Sequence, residues 1–333
     1  MYDLSKVVVT SSPHIKSDED TRSVMFDVII ALIPALAVAF YTFGARALVI
    51  TCLTVIACVL SEWAYCRVAR RDASIGDCSA VVTGLLLAYN VPVTAPVWMP
   101  VIGGVFAIVV VKMLFGGIGK NFINPALGGR AFMMASWTAL MTSFVGPHIP
   151  LSAFGSTADA VTSATPLAAL KNGQLPDATI LDLLLGQHGG VIGETCALAL
   201  LAGGVYLLVR KVITINIPAA YILTVAVLTF LFPMGGQPRL EWMLSQVLSG
   251  GLLLGAIFMA TDYATSPVTP KGQIIFGIGC GLLTVFIRYF GGYPEGVSYS
   301  ILIMNSLVWA IDAHTHPRKF GYPAKTAKKE VQG

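Results

Sequence analysis

The feature that most constrains this chain is the recurrence of apolar runs close to the roughly 20 residues that an α-helix needs to cross a bilayer. Of its 333 residues, 56% are hydrophobic and only 11% are charged, and the mean hydropathy is +0.77. Soluble domains carry about 25% charged residues. The sequence therefore predicts an all-α polytopic membrane protein rather than two soluble domains.

The apolar runs predict about ten transmembrane helices. They lie near residues 24–44, 47–66, 78–91, 97–115, 126–145, 192–209, 213–233, 244–260, 273–290 and 297–313. The third and the eighth are followed by proline-containing segments, at 90–96 and 261–270. Broken helices are tolerated in a membrane only where other protein or a water-filled cavity satisfies the backbone.

The two halves of the chain echo each other. In the first half, Gly-Leu-Leu-Leu at 84–87 is followed by a broken segment, a glycine-rich helix and Phe-Gly-Gly at 115–117. The same order recurs in the second half, from Gly-Leu-Leu-Leu at 251–254 to Phe-Gly-Gly at 290–292. Five spans per half would invert one half relative to the other. This predicts repeat one over about 24–145 and repeat two over about 192–313, joined by a loop over about 146–191. Chance matching in a glycine-rich chain is the alternative.

The basic residues predict the orientation. With ten spans and the N-terminus inside, four of the 21 Lys and Arg lie toward the outer side (Arg46, Lys171, Arg239 and Arg288), and the other 17 lie toward the cytoplasm. The first 23 residues are polar, so no cleavable signal peptide is indicated. We therefore expect a cytoplasmic N-terminal segment (1–23), a cytoplasmic tail (314–333) and a 146–191 loop on the outer side of the membrane.

Several classes of function lack their signature. The six cysteines form no C-x-x-C pair, which argues against a zinc or iron–sulfur site held by this chain alone. No G-x-G-x-x-G or P-loop begins a nucleotide-binding unit, and no catalytic triad pattern is present. No basic stripe with interleaved aromatic residues indicates nucleic-acid binding. No catalytic residue and no resident metal are predicted.

A compact polar cluster interrupts the apolar sequence at 159–167. Thr165 is a good N-cap, Pro166 suits the first helical position, and Asn172-Gly173 suits the end of a short helix. The simplest interpretation is therefore that Thr165 only begins a helix. Unpaired N–H groups at a helix start also attract phosphate. A phosphate esterified to the Thr165 oxygen would unite the cap and a cofactor anchor.

Two further sets of polar residues are candidates for function. Asn121 and Asn124, in the dense stretch 120–130, carry amides suited to the hydrogen-bonding edge of an isoalloxazine ring, although they also suit an ordinary turn. Asp77, Asp262 and Asp312 lie beside predicted spans on the cytoplasmic side, where a carboxylate suits either a helix cap or the mouth of a cation path.

Together, the stretches 115–126, 159–167, 290–296 and 305–312 resemble the NqrB/RnfD family over nearly the whole chain. The attachment motif D-x-x-[ST]-x-A-T is matched by Asp159, Thr162, Ser163, Ala164 and Thr165. The resemblance implies covalent FMN on Thr165, added by a flavin transferase, and a second, non-covalent flavin such as riboflavin near Asn121 and Asn124. It also implies cation uptake at Asp77 and Asp312, although Asp77 stands where the NqrB branch has Glu.

The resemblance also implies the activity and the partners. The family comprises membrane subunits of complexes that couple electron flow to Na⁺ or H⁺ movement, and the word Ser-Ala-Thr-Pro-Leu at 163–167 favours the Rnf branch, which couples ferredoxin and NAD chemistry. Expected partners are the other Rnf subunits, especially a second FMN-bearing subunit and intramembrane iron–sulfur subunits, together with membrane lipid. The B subunit of a Na⁺-translocating NADH:quinone reductase, a non-redox transporter or channel, and a structural scaffold remain alternatives.

Overall fold

The computed structural model describes residues 20–71, 74–149, 152–154, 164–194 and 196–315. Over these ranges the chain is helical, and its only strand-like pairing is an isolated bridge between Pro92 and Val191. The helices are α1 (Thr21–Phe43), α2 (Ala45–Val68), α3 (Ser79–Tyr89), α4 (Trp98–Phe106), α5 (Pro125–Ser136), α6 (Thr138–Met141), α7 (Pro166–Lys171), α8 (Ile180–Leu185), α9 (Ala197–Val209), α10 (Asn216–Leu231), α11 (Arg239–Leu248), α12 (Leu252–Leu254), α13 (Pro270–Phe290) and α14 (Val297–Thr315).

Within the described ranges, three helices, α1, α2 and α13, are long and apolar enough to cross a membrane. The pair formed by α11 and the Leu252–Met259 segment makes a fourth candidate span, bent by 61° at its break. Four shorter apolar helices follow the same hydropathy pattern: Ser79–Tyr89, Trp98–Met113, Ala197–Val209 and Asn216–Leu231. The predicted all-α polytopic membrane fold is confirmed, and the number of ten crossings stays a prediction.

Each predicted span coincides with helix, but three of the predicted boundaries were wrong. The 126–145 run leaves the helix after Ser136, because Trp137 adopts φ −136° and ψ 55°. The 192–209 run becomes helical only at Ala197. The 244–260 run breaks between α11 and α12, where Gly250 takes a φ of +72° that an L side chain rarely adopts. Hydropathy alone does not register such changes of backbone direction.

The predicted break after α3 is held in place by protein groups. Ile192 N–H donates to Val91 O at 3.1 Å, and Gly193 N–H donates to Tyr89 O at 2.8 Å. The buried Arg46 guanidinium donates to the carbonyls of Val93 and Ala95. The non-helical backbone is therefore satisfied inside the protein, as a broken helix at membrane depth requires.

Two π-helical segments lie inside the apolar runs. One, Ala107–Met113, continues α4, and the other, Gly255–Met259, continues α12. Such bulges are rare and occur often at functional sites, because they turn a side chain away from the regular helical face. In this chain the first of them places Lys112 in the interior.

The packing order is similar in the two halves. Helix α2 packs on α4 and α4 on α5; likewise α10 packs on α13 and α13 on α14, while α1–α9 and α5–α14 join the halves. Close approach at the α1–α9 contact needs a glycine, since a Cβ on Gly203 would lie 2.2 Å from Ala31 O. This order accords with two repeats, whose inverted arrangement stays a prediction.

Candidate functional site

Thr165 lies where the sequence predicts, at the N-cap of α7. Its φ and ψ of −78° and 154° are extended, its Oγ1 accepts a hydrogen bond from Ala168 N–H at 3.3 Å, and Pro166 is the first helical residue. The helix ends at Lys171, as expected. With six residues, α7 is too short for its dipole to form an anion site alone.

The Thr165 side chain borders a small pocket of about 380 Å³, which we term the Thr165 pocket. Six parts of the chain meet there: α5, Phe144, the start of α7, the 188–194 loop that precedes α9, Gly250, and the 294–295 turn before α14. The polar side chains that line it are Arg130, Thr165, His188, Glu194 and Glu295. Pro166, Leu167 and Val191 contribute to its apolar wall.

The charged groups of the Thr165 pocket converge on the backbone break at Gly251. A Cβ placed there would lie 3.3 Å from Glu194 Oε1, 3.8 Å from Glu295 Oε2 and 3.9 Å from Arg130 Nη1. Arg130 also donates to Asn90 Oδ1 and Ser298 Oγ, both at 2.7 Å. A buried, nearly charge-balanced cluster therefore faces the pocket that Thr165 borders.

A larger cavity, of about 760 Å³, lies between α1, α3, the π-helical segments and the break after α12; we term it the central cavity. Its wall is largely apolar, with a few polar groups. Those polar groups are Ser79, Thr83, Lys112, Asn121, Asn124, Thr261 and Asp262. A largely apolar wall with a few polar groups is the kind of lining that small-molecule pockets have.

Both predicted asparagines line the central cavity, and the side chain of each also forms hydrogen bonds with backbone groups. Asn124 caps α5, since its Oδ1 accepts from Ala126 N–H at 3.0 Å and Leu127 N–H at 3.2 Å, while its Nδ2 donates to Met259 O at 3.2 Å. Asn121 Nδ2 donates to Ile123 O at 3.1 Å. Asn124 is thus an N-cap, where the sequence suggested an ordinary turn, and a role in flavin binding stays a prediction for both residues.

The most buried ion pair in the described part of the chain lies in the wall of the central cavity. Lys112 Nζ is 2.8 Å from Glu62 Oε2 and 2.5 Å from Ser79 Oγ, and Glu62 is fully buried. Ser79 Oγ in turn donates to Asp77 Oδ1 at 2.5 Å. Asp77 is not the N-cap of α3, which is Cys78, but it also accepts from Ser79 N–H at 2.8 Å and is linked through the Ser79 hydroxyl to the buried ammonium.

Asp262 lies in the segment between α12 and α13, and Asp312 contacts that segment from α14. Asp262 lines the central cavity and accepts from Thr265 Oγ1 at 3.1 Å. Asp312, on α14, accepts from Val268 N–H at 3.3 Å. The structure therefore places Asp262, Asn121 and Asn124 in the wall of one cavity. Asp77 is linked to that cavity through Ser79 and Lys112, and Asp312 contacts the broken segment without lining the cavity.

Part of the attachment motif, Asp159, Thr162 and Ser163, lies outside the described residues. The sequence alone did not single out Lys112, Arg130, His188, Glu194 or Glu295 as site residues. A charged residue inside an apolar run was the available signal for Lys112, because an intramembrane ion must find a partner. His188 gave no such signal, since a loop histidine is ordinary.

Among the described residues of the 146–191 loop, two titratable groups have shifted pKa values. Burial lowers the pKa of His188. Hydrogen bonds from the Thr179 hydroxyl and N–H lower the pKa of Asp182, which forms a capping box at the start of α8. Among the described residues, no group of three His, Cys, Asp or Glu side chains is placed to hold a metal ion.

The fold and these two cavities define a polytopic helical membrane protein with broken helices and buried charge at each break. The description "NQR2, RnfD, RnfE family" belongs to the family model that matches residues 8–321. The chain therefore belongs to this family, as the motifs predicted.

Named relatives agree with this assignment along their whole lengths. The chain is 51% identical to the D subunit of the Na⁺-translocating ferredoxin:NAD⁺ oxidoreductase complex of Acetobacterium woodii, over 98% of each chain. It is 43% identical to the D subunit of the proton-translocating ferredoxin:NAD⁺ oxidoreductase complex of Clostridium ljungdahlii, over 94% of this chain and 96% of the relative. The D subunit of the ion-translocating oxidoreductase complex of Actinobacillus succinogenes is 35% identical, over 94% and 98%.

Proposed function

We propose that this chain is the D-type membrane subunit of an ion-translocating ferredoxin:NAD⁺ oxidoreductase, and that it carries FMN as a phosphoester on Thr165. The names of the relatives support the subunit assignment. The observation that carries the flavin site is the Thr165 hydroxyl, which ends the D-x-x-[ST]-x-A-T motif and borders a polar pocket. The chain acts within a complex and is not catalytic alone.

Thr165 Oγ1 is chemically suited to this role. The side chain is partly exposed, and its hydroxyl oxygen accepts one weak hydrogen bond, from Ala168 N–H at 3.3 Å. Thr165 has an extended backbone and precedes a rigid proline, so the atom to which a group is esterified would have a fixed position. When bound, the flavin supplies one- and two-electron chemistry, while the protein supplies its placement and electrostatic environment. Arg130 and His188 would form the polar wall beneath it.

The central cavity is the corresponding place for a second, non-covalent flavin. Its apolar lining would pack on the ring, and the amides of Asn121 and Asn124 lie among its few polar groups. Asp262 and Lys112 line the same cavity, and Lys112 is linked directly to Glu62 and, through the Ser79 hydroxyl, to Asp77. A change of flavin charge would act on these groups at short range, which provides a physical route from electron transfer to movement of Na⁺ or H⁺.

The proposal places the 146–191 loop on the outer side and both termini in the cytoplasm. Electrons would pass through the Thr165 flavin on that side, toward partners that include other flavin- and iron–sulfur-bearing subunits. A membrane-impermeant thiol label should therefore react, in intact cells, with a cysteine introduced at position 165. Labelling only after the cytoplasmic membrane is opened would contradict this orientation.

In-gel fluorescence of the denatured protein tests the attachment. The protein is expressed together with a flavin transferase, because without that enzyme an absent flavin means nothing. We expect fluorescence that survives SDS in wild type and disappears in Thr165→Ala. Thr179→Ala is the matched control, since Thr179 is also an N-cap threonine of the same loop and should keep the signal. Loss of the signal in Ser163→Ala alone would move the attachment site and contradict the assignment.

A further inference from the structure

We propose that Glu194 and His188 form a proton-binding pair in the wall of the Thr165 pocket. One proton resides on the Glu194 carboxyl group and moves to Nε2 of His188 when negative charge enters the pocket. The source of that charge, a reduced flavin on Thr165, rests on the proposed function. The pair itself rests on the geometry of the buried groups.

His188 presents an unused acceptor to the pocket. The ring is 5% exposed, and Nδ1 lies 3.1 Å from Gly189 O. A ring nitrogen that bonds a carbonyl must carry the proton, so Nε2 of the neutral ring holds a lone pair. In the described part of the chain, no hydrogen-bond partner reaches the buried Nε2. Burial lowers the pKa of His188, which favours this neutral form.

Glu295 is fixed as the anion of the cluster. Its Oε2 accepts from Gly251 N–H at 2.9 Å and its Oε1 from Val297 N–H at 3.1 Å, while Arg288 Nη2 lies 3.8 Å away. Two backbone donors and a buried guanidinium favour the carboxylate over the acid. A second carboxyl group beside it is therefore held next to a permanent negative charge.

Glu194 is that second carboxyl group, and it has weaker support. Its hydrogen bond from Val191 N–H is long, at 3.5 Å, and its carboxyl group lies in contact with that of Glu295. Two carboxylates that share a buried site do not both ionise, so the less supported one keeps a proton. Glu194 is therefore the acid and Glu295 the base of the carboxyl pair.

The proton on Glu194 has His188 as a neighbouring acceptor. A Cβ placed on Gly190 would lie 3.3 Å from Glu194 Oε2 and 3.9 Å from His188 Cε1, the carbon bonded to Nε2. Because Gly190 has no side chain, the Glu194 carboxyl group and the His188 ring border the same small space. Other charges act on them from every packed element. Arg130 on α5 and Glu295 before α14 act on Glu194, Asp182 on α8 acts on His188, and Arg288 on α13 acts on Glu295.

The transfer is balanced and needs no further reactant. The O–H bond of Glu194 breaks, an N–H bond forms at Nε2 of His188, and no electron moves within the pair. Its products are a carboxylate and an imidazolium. The imidazolium can turn its new N–H toward a negative charge in the pocket, where a charge-assisted hydrogen bond is about twice as strong as a neutral one.

Infrared spectroscopy of the purified complex tests the pair. In the oxidised protein at pH 7, the wild-type-minus-variant spectrum should show the C=O band of a protonated carboxyl group for Glu194→Gln and no such band for Glu241→Gln, which alters an exposed glutamate. Glu295→Gln should also remove the band, because Glu194 then ionises. If Glu194→Gln does not assemble, Glu194→Asp should shift the band instead.

Reduction of the flavin tests the transfer. We expect the carboxyl band to decrease on reduction in wild type and to remain in His188→Gln. A resting band unaffected by every Glu194 change would overturn the pair, and a decrease that persists in His188→Gln would overturn the transfer. The resting band needs no flavin, so it reports on the pair even if Thr165 proves unmodified, and the two proposals fail separately.

Discussion

Replacing one member of the Lys112–Glu62 pair should destabilise the protein far more than replacing both. Both side chains are buried, at 3% and 0% exposure, and their charged atoms are 2.8 Å apart. Loss of one partner leaves an unpaired buried charge, which costs about 3–5 kcal/mol, whereas an apolar replacement of a whole buried pair is often close to neutral. Lys112→Met and Glu62→Met should each cost about this amount.

The assay is the free energy of unfolding in mixed micelles, measured for the two single variants and for Lys112→Met with Glu62→Met. We expect the double variant to be more stable than either single variant, with a coupling energy of about 3 kcal/mol or more. Arg210→Met is the control, because the Arg210 side chain that pairs with Asp27 is 56% exposed and such pairs contribute about 1 kcal/mol or less. Additive losses at Lys112 and Glu62 would refute the reasoning.

Three further predictions follow from the packing and the caps. Asn124→Ala should lower the free energy of unfolding by about 1 kcal/mol for the lost cap of α5, and by more for the lost hydrogen bond to Met259 O. Asn172→Ala, at a C-cap without that contact, should lower it by less in the same assay. Gly203→Val should prevent stable folding, measured as monodisperse yield, because its Cβ meets Ala31 O at 2.2 Å, whereas Gly292→Ala, whose Cβ meets nothing within 4 Å, should behave as wild type. Burial lowers the pKa of His188 in the folded state. The contribution of His188 to the free energy of unfolding is therefore present above the unfolded pKa of about 6.5 and is lost as the pH falls toward the folded value. His188→Gln should flatten that part of the stability–pH curve, and an unchanged slope would contradict the assignment.

The sequence was sufficient for the features that depend on composition and local pattern. The all-α membrane class followed from hydropathy, the break after α3 from its prolines, and the start and end of α7 from Thr165, Pro166 and Asn172. These features are local, because hydropathy, proline geometry and capping act within a few residues. The family assignment followed from several motifs in a fixed order.

The remaining features depend on contacts between distant parts of the chain. Glu194, Glu295 and Arg130 come from three elements and meet only at Gly251, so no local pattern predicts the cluster. Lys112 meets Glu62 because a π-helical segment turns it inward, and hydropathy averages cannot detect one extra residue in a turn. The bend between α11 and α12 was missed for the same reason, since Gly250 and Gly251 also suit a continuous membrane helix.

The central claim is that the Thr165 oxygen is esterified to FMN. Mass spectrometry of the tryptic peptide that spans 131–171, from protein made in a host with an active flavin transferase, tests it most directly. We expect a mass increase equal to one FMN less one water, with fragment ions that assign it to Thr165. The unmodified peptide alone, from a host shown to flavinylate another substrate, would contradict the claim.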